Sequence, residues 1–66
     1  MKMTKIERIR KIVTEGSRAK VEGVMVDLFT AGAIIAVHDH LSPENREKFL
    51  AMPIGKMATV AFRLVK

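Results

Sequence analysis

VMVDLFTAGAIIAVHDHL, residues 24–41, is the longest apolar run in the chain, and the fold turns on how it is read. Only Asp27 and Thr30 interrupt it before His38. Asp is a strong N-cap and its charge suits the positive end of a helix, so Asp27 starts one. Leu28, Phe29, Ala31, Ile34, Ile35, Val37 and Leu41 then cover most of its circumference. A helix apolar nearly all round is a buried helix. Gly32 and Ala36 lie four apart with Ala33 beside them, and small residues at that spacing let another helix, from this chain or a second copy, come close. Phe29, Gly32, Ala33 and Ala36 are therefore the candidate self-association residues.

Just upstream, residues 17–26 allow two readings. Lys20-Val21, Glu22-Gly23 and Val24-Met25-Val26 spell a very short β-hairpin, with glycine supplying the positive φ of a tight turn. The rival is one long helix over 17–41, with Gly23 tolerated at about 1 kcal/mol. Val-x-Val alternation coinciding with the glycine favours the hairpin. Residues 4–15 form the first helix. Ile6, Ile9 and Val13 make a narrow apolar stripe with Ile12 at its edge. Thr4 and Glu7 match a capping box, Glu7 and Lys11 are ordered for an i,i+4 ion pair, and Gly16 is placed to end the helix.

Downstream, Ser42-Pro43-Glu44 is the clearest local signal: serine caps, proline takes the first helical position, and glutamate meets the positive end of the dipole. That helix runs to about Leu50, with Glu44 and Lys48 paired outside and Phe49 and Leu50 turned inward. Met52-Pro53 breaks the chain, and Pro53 opens the last helix. Its Ile54, Met57, Ala58, Val60, Ala61, Phe62, Leu64 and Val65 fall on one broad arc, opposite Gly55, Lys56, Thr59, Arg63 and Lys66. The fold class is mainly α: one small four-helix domain over residues 1–66, with the hairpin between the first and second helices.

A chain of 66 residues buries only about 60% of its unfolded surface and needs a supplement to its core. Disulfides, a metal or oligomerisation are the usual ones. Cysteine is absent, which removes disulfides and thiolate metal sites. Oligomerisation remains, a homodimer first, and the 48% hydrophobic content agrees with it. The N-terminus is charged and shows no secretory signal, and no run reaches the roughly 20 apolar residues of a membrane span. The expected setting is the cytoplasm.

The net charge is +5 and all of it lies in residues 1–20, where Lys2, Lys5, Arg8, Arg10, Lys11, Arg18 and Lys20 outnumber Glu7 and Glu15. Bases and acids cancel over residues 21–66. Lys5, Arg8, Arg10, Lys11, Arg18 and Lys20 are the candidate polyanion-binding residues, beside the plainer reading of a solvated helix face. Trp and Tyr are absent, and Phe29, Phe49 and Phe62 are assigned to the core, so stacking on single-stranded bases is disfavoured. The last two helices joined by a short break suggest a helix-turn-helix, but the second of them is too apolar and offers no Asn or Gln for base edges. His38 and His40, two apart at a helix end, point about 200° from each other and do not make a shared metal site. Asp27 and Thr30 read as a capped helix start. No nucleophile, base and orienter set occurs, no Gly-rich phosphate loop is present, and no cofactor is expected.

Val26-Asp27, Thr30-Ala31, Leu41, Pro43-Glu44-Asn45, Lys48-Phe49, Met52-Pro53, Lys56-Met57-Ala58 and Ala61-Phe62 give the last two-thirds of the chain a resemblance to small bacteriophage-encoded proteins, particularly of phages infecting actinobacteria. The resemblance implies a phage accessory protein acting in the host cytoplasm and brings no activity or site residues. The expected function is a non-enzymatic binding protein engaging a host protein. The alternative is a non-specific nucleic-acid binder using the basic N-terminal helix.

Overall fold

Local capping signals set the element boundaries. In the computed structural model, which describes residues 4–64, α1 (Lys5–Glu15) begins at a complete capping box. The Thr4 hydroxyl accepts from the Glu7 N–H, and the Glu7 carboxylate accepts from the Thr4 N–H. Gly16, left-handed at φ 64, ends the helix, and its N–H reaches the carbonyls of Ile12 and Val13.

The hairpin forms. β1 (Ala19–Val21) and β2 (Val24–Val26) pair antiparallel, with Ala19 opposite Val26, Lys20 opposite Met25 and Val21 opposite Val24. Glu22 and Gly23 have φ of 53 and 79, the two positive values that a two-residue turn needs to follow the strand twist. Val21 and Val26 are buried, which fixes the hairpin to the helices.

Asp27 caps α2 (Leu28–His40) by accepting from the Thr30 N–H at 2.7 Å. Ser42 caps α3 (Pro43–Leu50), with Pro43 in its first turn. The Pro53 carbonyl accepts from the Met57 N–H at 3.0 Å, so Pro53 precedes α4 (Ile54–Leu64) as its cap rather than opening it. Val65, expected on the apolar arc, lies outside the described residues.

α2 packs against α1 on one side and α4 on the other. One core joins Ile9 and Ile12 of α1, Val21 and Val26 of the hairpin, Ile34 of α2, Phe49 of α3, and Ile54, Met57 and Ala61 of α4. Among the described residues no helix is long and apolar enough to cross a membrane.

Several expectations need correction. Ile12 is buried whereas Val13 sits at the surface, because α1 lies against both α2 and β1 and its buried stripe is rotated towards Ile12. Phe49 is core, but Phe29 is 76% exposed and Phe62 41%. Their rings stack on each other at 5.7 Å, outside the core. α2 is thus not buried all round: Leu28, Phe29 and Ala36 face out. Ala33 is buried within the chain and is removed from the self-association residues. Glu7 serves the capping box and Lys11 lies 3.9 Å from Glu15, so the Glu7–Lys11 pair does not form. Glu44 and Lys48 stay apart among the ion pairs of the described residues, which are those of Lys5, Arg10, Lys11 and His38.

Candidate binding surfaces

Lys2 lies outside the described residues, and the described cations of the first 20 residues divide into two sets once their partners are seen. Lys5 is a structural lysine. Its side chain is only 15% exposed, its ammonium is 3.0 Å from the Glu22 carboxylate, and it donates to the carbonyls of Leu50 (3.2 Å) and Met52. Those carbonyls are left over where α3 ends, and a cation suits the negative end of a helix dipole. Lys5 therefore ties α1 to the turn at Glu22 and to the α3–α4 break.

Arg10 is also engaged. It donates to Asp39 at 2.9 and 3.5 Å. Asp39 lies 3.0 Å from His38 Nδ1 as well. The Arg10 guanidinium first, and His38 second, hold the Asp39 carboxyl at about 2, below the ordinary carboxylate range. Arg46 closes this end of α2 from below, donating to the carbonyls of His38 (2.9 Å) and Asp39 (3.0 Å). His40 Nδ1 is 2.8 Å from the Ala36 carbonyl, so it carries the proton and donates. The two histidines are thus occupied separately, and among the described residues no cluster of three or more His, Cys, Asp or Glu could hold a metal.

Arg8, Lys11, Arg18 and Lys20 remain, and the fold brings them together. With Ile12, Glu15, Ser17, Ala19 and Val21 they line a groove of about 290 Å³ between α1 and β1. α1 presents Arg8 and Lys11 one turn apart, Gly16 ends the helix, and Arg18, just before β1, and Lys20 within it line the other side. Glu15 is the one carboxylate in the lining and sits near Lys11. No residue of β2 lines the groove, so it follows the edge of β1 left unpaired in the hairpin.

Protein families, curated proteins and solved structures offer no match to this chain.

Ladder bonding alternates along an antiparallel pair, and the pair closing a two-residue turn, Val21 with Val24, is hydrogen-bonded. Lys20 is the next position, so its N–H and C=O turn away from β2. Among the described residues no other element takes them. The groove thus offers a short run of open strand edge flanked by cations.

The second surface is apolar. Phe29, Gly32 and Ala36 share the outward face of α2, and Phe62 and Leu64 of α4 border it. Beyond Ala36 a shallow cavity of about 440 Å³ is lined by Ala36, Val37, His40, Leu41 and Leu64. A Cβ on Gly32 would meet nothing within 4 Å, so the middle of this face is open. Sequence reasoning found Phe29, Gly32 and Ala36 and missed Phe62 and Leu64, which lie on opposite flanks of the α4 arc and differ from its buried members only by which side α2 takes up. It also missed Glu15 and Ser17 in the groove, for which the sequence carries no signal.

Proposed function

We propose that this chain is a non-enzymatic binding protein that holds an extended acidic segment of a partner protein in the groove between α1 and β1. The observation that carries this is the convergence of Arg8, Lys11, Arg18 and Lys20 on one groove after internal partners have taken Lys5 and Arg10. The open edge at Lys20 adds main-chain hydrogen bonds to the charge, the mode in which a peptide joins a sheet as a further strand. Side chains of Asp or Glu in such a segment meet cations on both walls. In line with the resemblance to phage accessory proteins, the partner is a host protein and the setting is the host cytoplasm.

The same four cations support a second reading, in which a nucleic-acid backbone occupies the groove. The strand edge favours the peptide, because the Lys20 N–H and C=O together match an amide backbone, whereas a phosphodiester has no donor for the Lys20 carbonyl. Four phosphate contacts on duplex DNA would give a salt slope of roughly −3.6 in log K against log salt. Fluorescence anisotropy with a labelled Glu/Asp-rich peptide and a labelled duplex, between about 50 and 200 mM salt, separates the two. The peptide is expected to bind, and Arg18→Glu and Lys20→Glu to abolish that binding while circular dichroism stays unchanged. Preference for the duplex with that slope moves the assignment to nucleic acid. Binding of neither removes the groove as a working surface.

A further inference from the structure

We propose that the apolar face of α2 and α4 is closed by a second copy of this chain, in an antiparallel α2–α2 pairing about a twofold axis beside Gly32. The face is complementary to itself. Phe29, the most exposed large apolar side chain among the described residues, stacks on Phe62 one turn before Gly32, and the two rings make a ridge. The cavity floored by Ala36 and walled by Val37, Leu41 and Leu64 opens one turn after Gly32. A twofold between positions 32 and 33 sets Phe29 over the partner's Ala36, and the operation is reciprocal, as an isologous interface requires. The shallow cavity of about 440 Å³ offers the partner's ring an apolar bed, with His40 among its lining residues.

Gly32 lets the two helix backbones meet. It is partly exposed, with open space where a Cβ would stand. Among the described residues no Lys or Arg lines the cavity on this face, so two copies of charge +5 meet there without opposing cations from its lining. Leu28, Phe29, Phe62 and Leu64 are 45, 76, 41 and 63% exposed and with the small residues between them present on the order of 500 Å² per copy, so a pairing that covers the whole face buries roughly 1,000 Å² in total, the lower bound for a specific interface. A 66-residue chain without cysteine also needs such a supplement to its core. The pairing leaves the α1–β1 groove outside the contact, and it stands independently of what that groove binds.

Sedimentation equilibrium on the full chain across the micromolar range tests it. The expected mass is twice 7.4 kDa. Phe29→Ala, at an exposed position that leaves the fold intact by circular dichroism, is expected to raise the dimer Kd roughly 30-fold or more, the loss typical of a central aromatic anchor. Gly32→Cys is expected to form a disulfide dimer under mild oxidation, and Ser17→Cys is not. A mass of 7.4 kDa throughout, whether or not another protein occupies the face, overturns the proposal. So does a dimer that Phe29→Ala leaves unchanged, or one that cross-links equally well through position 17.

Discussion

Lys5 separates a structural account of the basic N-terminus from an electrostatic one. Charge alone places it with the polyanion contacts, whereas the fold buries its ammonium among the Glu22 carboxylate and the carbonyls of Leu50 and Met52. Lys5→Met keeps the aliphatic stem and deletes only the charged end. A hydrogen bond from a charged group contributes about 1.5–3 kcal/mol net. The two carbonyls lie at a helix end where water can partly replace the lysine, and the half-exposed Glu22 adds little. The expected loss is about 2–3 kcal/mol, or roughly 10–20 °C in Tm for a domain of this size. Thermal melts followed by far-ultraviolet circular dichroism measure that loss. Anisotropy with the acidic peptide, well below the melt, is expected to show no change in affinity for Lys5→Met. Arg8→Ala should do the reverse, leaving Tm in place and weakening the peptide. If Lys5→Met leaves the melt unmoved and weakens binding, the assignment of Lys5 to the interior is refuted.

Other substitutions check the fold in the same way. Ile34→Ala, at a fully buried position, is expected to lose about 2–5 kcal/mol in a urea melt, whereas Phe29→Ala, which gives up only its stack on Phe62, is expected to lose about 0.5–1.5 kcal/mol for the monomer. Gly23→Ala forces a Cβ into left-handed backbone at φ 79 and should lose about 1–2 kcal/mol, read as an earlier melt with the helical signal retained. Asp39 has a folded-state pKa of about 2, below its unfolded value, so its contribution is present above pH 4 and disappears as the pH falls towards 2. Tm should therefore drop over that window, and Asp39→Asn should flatten the drop. Asp27, also held low by the Thr30 N–H, accounts for part of what remains and is removed by the double variant Asp27→Asn/Asp39→Asn.

Signals confined to a few neighbouring residues were legible in the sequence. Thr4 with Glu7, Gly16, Asp27 and Ser42-Pro43 each satisfy a local backbone need, and each sits where that need predicts. Glu22-Gly23 resolved to a hairpin because one turn type accommodates two positive φ values and the flanking valines both find a core. Burial was harder to read. Phe62 and Ala58 lie on the same side of the α4 arc, and only the position of α2 decides which is covered. Charge was hardest. Lys5 finds its carbonyl partners 45 and 47 positions away and Arg10 finds Asp39 29 positions away, distances over which periodicity carries no information. The excess of bases in residues 1–20 was visible, but which four of them share a groove was set by the helix end at Gly16 and by those remote partners.

The groove as working surface is tested most directly by titrating the nitrogen-15-labelled chain with the unlabelled acidic peptide and following amide shifts. The account predicts perturbations at Arg8, Lys11, Ser17, Arg18 and Lys20, with the Lys20 amide moving most as its N–H gains a partner, and none at Phe29, Gly32 or Ala36. Shifts confined to the α2–α4 face, with α1 and β1 unmoved, would contradict it.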